Sequence, residues 1–236
     1  MWKPLAGAWE CVNMTLRNHR HVRTLGKLVG VGIFFAGSIA LTAPASAQGL
    51  FGPGKFKIEQ TDDRFSDAPT ITFMGLNNRI SKKSPAGGIY INGQGLYLEP
   101  LVMRNRADGK IARVGFFFHN ETEIDTTYGS PNSIGTPQSI VFIIDGSKRI
   151  SASFVQGGAA FGDGIQYNSM SRSASSSLRE TGLAYVSVED MEAIAHARSI
   201  AIKVEGSRRA ATFDEKDIAK TFLANLAVFY TEKIYE

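Results

Sequence analysis

Residues 139–153, SIVFIIDGSKRISAS, constrain the fold more than any other stretch of the chain. Ile140 to Ile144 are all apolar, Lys148 to Phe154 alternate, and Asp145-Gly146-Ser147 lies between. A tight hairpin needs positive φ in its loop. Glycine takes that conformation at no steric cost, and aspartate tolerates it while bonding nearby backbone. Asp145 is therefore read as part of a turn rather than as a catalytic acid. The same grammar recurs upstream. FKIEQ (56–60) and PTITFMG (69–75) read as strands, and residues 89–105 as extended, with Gly93 and Gly95 marking a bulge or a break. The Asp-Gly of RNRADGK (104–110) turns the chain into a returning strand at 111–120. Phe116, Phe117 and Phe118 would fill both faces of that strand, which places it inside a sandwich or beneath a helix.

The C-terminal third changes period. GLAYVSV (182–188) reads as a strand, and Ser187 to Asp190 resemble a capping box with a carboxylate one methylene short. A short helix follows over 191–199 with Met191, Ile194 and Ala195 inward, then a strand at 199–206 and a return through Arg209 to Thr212. Thr212 and Glu215 form a full capping box for a last helix bearing Ile218, Phe222, Leu226 and Phe229 on one stripe. Residues 156–180 are rich in glycine and serine and break the rhythm; they read as a disordered excursion or a binding loop. The expected fold is mainly β (α+β). It is an antiparallel β-sandwich-like core with a short helix and a C-terminal amphipathic helix packed on it, as one domain over 56–236.

Residues 1–47 stand apart. Arg17, Arg20, Arg23 and Lys27 precede an apolar run from Leu28 to Leu41, and TAPASAQG then offers small residues before a cut at Ala47/Gln48. That is the pattern of a secretory signal peptide, and the apolar run is shorter than the roughly 20 residues of a spanning helix. Residues 48–55 read as a flexible leader into the fold. Five of the 26 basic and one of the 22 acidic residues lie in 1–47, leaving 21 of each beyond the cut. The exported chain is formally neutral, so composition gives no support to nucleic-acid binding. The one cysteine, Cys11, also lies in 1–47, which leaves no disulfide, thiol nucleophile or thiolate metal site beyond it.

Three phrases in order carry a resemblance. They are D-x-F-x-D-x-x-T at Asp63 to Thr70, I-x-F-x-x-D-G at Ile140 to Gly146, and D-x-x-x-I-A-x-A at Asp190 to Ala197. Over about residues 56–234 the chain resembles a type of uncharacterised bacterial exported domain. The resemblance implies a sandwich-like fold with packed helices and carries no catalytic residues across. The long Gly/Ser segment departs from the short connection usual in such domains.

The sharpest chemical constellation is His119, Glu121, Glu123 and Asp125, which share a face if the strand continues. One imidazole with carboxylates suits a divalent ion, yet four such positions span about 20 Å, so at most two or three could meet. The plainer reading is a solvated strand end, and no metal or cofactor is expected. A serine hydrolase would need a base such as His119 or His196 beside the serine-rich loop, and no G-x-S-x-G elbow is present. GGAAFGDG (157–164) lacks the G-K-[ST] ending of a phosphate loop. The expectation is a non-enzymatic periplasmic or secreted module that binds an envelope protein or ligand, with neither nucleic acid nor a membrane span. Its binding residues would be Asp145 and Lys148 on the hairpin tip with Phe161, Asp163, Tyr167 and Arg172 on the adjoining loop. The alternatives are an envelope hydrolase and a structural or assembly factor.

Overall fold

Asp145 and Gly146 take φ of 48° and 71°, and Ser147 N–H donates to Ile144 O at 3.0 Å, closing the expected hairpin. It joins β5 (Pro137–Ile144) to β6 (Lys148–Phe161). The structure, a computed structural model, describes residues 54–235 apart from 66, 67, 91, 92 and 163. The expected signal peptide, most of the leader, and Asp163 lie outside the described residues.

Four strands precede the hairpin: β1 (Lys57–Asp63), β2 (Thr70–Leu76), β3 (Gly95–Asn105) and β4 (Ile111–Asp125). After it come β7 (Gln166–Asn168), β8 (Ser173–Val186), α1 (Val188–Ala195), β9 (Ile200–Gly206), β10 (Ala210–Phe213) and α2 (Lys220–Lys233). The strands pair antiparallel in the order β1-β2-β3-β4-β8-β6-β5-β9-β10, with β7 on the far end of β8.

One strand makes this sheet sandwich-like. The first part of β6, to Ser153, pairs with β5; from Phe154 it pairs with β8, and the register shifts between Phe154 and Gln156. A strand that changes partners at a bulge turns a corner between packed layers. The consequence is visible inside. β8 and β6 separate β4 from β5 along the sheet, yet Phe116 of β4 and Phe142 of β5 lie with ring centroids 5.4 Å apart. Phe118 and Phe154 meet at 5.6 Å. Met191 and Ile194 of α1 and Phe222, Leu226 and Phe229 of α2 join this same core, as the helical stripes require. Phe117 points the other way, into a smaller cluster with Leu101 and Leu183. The close approach of β4 to β8 depends on Gly115, where a Cβ would stand 2.1 Å from Ala184 O.

Three expectations are corrected. The 156–180 stretch is not a loose excursion: most of it is strand, the end of β6 pairing with β8 from Leu178, the start of β8 pairing with β4, and the short β7 turned back on β8. Small residues permit this, because extended backbone satisfies its own hydrogen bonds across the ladder whatever the side chains are. The last helix does not start at the Thr212/Glu215 box. Thr212 is held in β10 opposite Lys203, a single 3-10 turn over Glu215–Asp217 follows, and Ala219 N–H is drawn to Ile80 O at 2.9 Å, so the α-helix starts only at Lys220. The extended stretch read over 89–105 becomes strand only from Gly95. Among the described residues, no helix is long and apolar enough to cross a membrane.

Candidate functional site

The five described residues among those expected to bind do not form one site. Lys148 begins β6 and Phe161 ends it, so a strand of 14 residues separates the two groups. At about 3.3 Å per residue that is roughly 40 Å along the strand.

At the first end, Asp145 is a clasp. Its Oδ1 accepts from the backbone N–H groups of Arg198 (3.0 Å) and Ser199 (2.9 Å), and its own N–H donates to Ser199 O at 3.0 Å. The bond from Ser199 and then that from Arg198 hold its carboxyl below the usual aspartate range. Lys148 Nζ lies 3.4 Å from Asp190 Oδ1 at the start of α1. The hairpin tip is thus fastened to both ends of the α1 unit. Ser187 caps α1 as expected, its Oγ accepting from Asp190 N–H at 3.0 Å. The Asp190 carboxylate turns to Lys148.

At the other end, β6 and β8 run out to an arm tip. Phe161, Tyr167 and Met170 are exposed there, at 66%, 68% and 95%, together with Ile165. Tyr167 sits opposite Ala174, whose N–H and C=O bond Thr126 Oγ1 and Thr126 N–H, each at 2.9 Å. That bond brings the exposed Tyr128 of the β4–β5 connection to the same end. Arg172 is exposed and has φ of 53°, in a turn where Asn168 Oδ1 accepts from Met170 N–H at 3.0 Å. Phe161, Tyr167 and Arg172 therefore share the arm tip, and Asp145 and Lys148 do not.

The histidine constellation does assemble, with different partners from those expected. β4 continues to Asp125, so His119 and Glu121 share a face. Tyr97 of β3 lies opposite His119 and stacks on it, centroids 4.5 Å apart and planes at 18°. His119 Nδ1 is 3.8 Å from Glu99 Oε2, and Nε2 is 3.9 Å from Glu121 Oε1. Arg179 of β8 donates Nε–H to Glu121 Oε1, and Asn77 N–H donates to Glu99 Oε1 at 3.0 Å. Glu123 is exposed and stands outside the group. Among the described residues, no three of His, Cys, Asp and Glu are placed to hold a metal ion.

Burial governs what this cluster can do. It lifts Glu99 to about 7 and, with the Arg179 charge, lowers His119 to about 3. The histidine is neutral at physiological pH, so its approach to Glu99 is not an ion pair. A nitrogen protonating near pH 3 is a weak general base at neutrality. Glu99, Tyr97 and Arg179 escape sequence reading because only the register of β3, β4 and β8 brings them beside His119. The chain matches no family model, no curated protein and no solved structure.

Proposed function

We propose that this is an exported bacterial binding module of the cell envelope, without chemistry of its own, that grips a protein partner through the tip of the β6–β7–β8 arm. The observation that carries the reading is the group of Phe161 and Tyr167 on paired strands and Ile165 and Met170 beside them outside the strands, all left exposed. Apolar side chains displayed together, away from any core, mark an interaction surface. The signal-like pattern of residues 1–47 supports the compartment.

The test replaces Tyr167 with a photo-crosslinking residue and compares it with the same protein carrying Phe161→Ser and Met170→Ser. Exposed positions like these should leave stability within about 0.5 kcal/mol, while the crosslinked envelope partner disappears. A crosslink of undiminished yield in the altered protein would end this reading. The hydrolase alternative predicts turnover of an ester, glycoside or peptide by the purified protein that is lost in His119→Ala. The depressed basicity of His119 argues against it.

A further inference from the structure

A cleft of about 580 Å³ opens between the loop after β2 and the start of α2. Four lysines line it, Lys82, Lys83, Lys216 and Lys220, against one carboxylate, Asp217. Lys83 Nζ is bound to Asp217 Oδ2 at 2.7 Å. Lys82, Lys216 and Lys220 make no close ion pair among the described residues, although the Lys216 charge also acts on Asp217.

The walls are fixed before anything binds. Ser81 Oγ donates to Asp217 O, Ala219 N–H donates to Ile80 O at 2.9 Å, and Tyr90 N–H donates to Lys82 O at 2.8 Å. These bonds tie the two sides of the cleft together and keep the four lysines on its lining. Like charges gathered this way repel, and an anion among them relieves that repulsion. The first turn of α2 adds backbone donors to the same wall, since its N-cap, Ala219, supplies no side-chain acceptor. On the rim stands Ile89, apolar and 73% exposed.

We propose that this cleft binds a phosphate ester. Lysine meets phosphate as a mobile point charge, which suits a cleft lined by four lysines and no arginine. The volume falls in the range of small-molecule sites, roughly 300–1,000 Å³, and exceeds what a bare ion fills. The apolar rim at Ile89 covers the organic part of the ester. The site is separate from the arm tip and stands or falls independently of it.

The ester has two sources, a soluble metabolite or a lipid headgroup, and two arms separate them. In the first, glycerol 3-phosphate is titrated into the protein while the backbone amides of Lys82, Lys216, Lys220 and Thr221 are followed by NMR, with glycerol as the control. In the second, the protein is sedimented with phosphatidylglycerol vesicles and with phosphatidylcholine vesicles. Saturable shifts at these amides assign a soluble ester. Binding to phosphatidylglycerol vesicles alone assigns a headgroup. Lys216→Glu with Lys220→Glu should weaken either by about tenfold or more, and Lys110→Glu, at the exposed β3–β4 turn, should change it little. If the double replacement lowers Tm, Lys82→Ala serves instead, with a loss of about threefold. Absence of binding in both arms overturns the proposal. So does equal weakening by Lys110→Glu, which would mean diffuse attraction to the whole surface.

Discussion

Glu180 is 1% exposed, and its carboxyl is ringed by donors: Ser133 Oγ and Gly135 N–H to one oxygen, Asn120 Nδ2 and Ile134 N–H to the other. Glu180→Ala strands four donors at once, three of them in buried bonds. Each unsatisfied group costs about 1–3 kcal/mol, so unfolding in urea should show a loss of at least about 3 kcal/mol. Glu99 and His119 make opposite contributions with pH. Glu99 has a folded value near 7 against 4.5 unfolded, so the fold favours its protonated form and loses stability as pH rises between the two. His119 has a folded value near 3 against 6.5 unfolded, so its contribution is lost as pH falls through that window. Glu99→Gln should therefore gain on the order of 2 kcal/mol over the parent at pH 8 and little at pH 4.5. His119→Gln should flatten the acid limb, and urea titrations at several pH values check both. The sequence shows Asp145 as a turn residue but hides its clasp on Arg198 and Ser199, which lie 53 and 54 residues further on. Glu180 is hidden for the same reason: its donors are 45 to 60 residues away.

Elements were legible where local chemistry decides them. The Asp-Gly hairpin, the both-sided β4 and the Ser187 cap all follow from residues within a few positions of one another. Ser187→Ala should cost about 1 kcal/mol, read as a lowered urea midpoint with an unchanged slope. Where a neighbouring element competes, the local signal loses. Thr212 has the sequence of a cap, but the ladder to β9 claims its backbone first. The Gly/Ser segment has the sequence of a loop, because side chains give no sign of the pairing that β4 imposes on β8 along twelve residues.

Across the whole molecule, β8 joins β4 on one side to β6 on the other, and β6 carries the sheet round to β5. Removing 160–178 takes away two of the seven β6–β8 pairs and four of the twelve β4–β8 pairs. The sequence alone suggests a loop; the structure predicts that the deletion costs ladder pairs and lowers the urea midpoint, which circular dichroism would show. The order of strands in space has a further effect in time. The seam-closing strand is among the last to be made, and until residue 186 emerges β4 and β6 each wait with one open edge. A nascent polypeptide built this way cannot complete its sheet until most of it has been made.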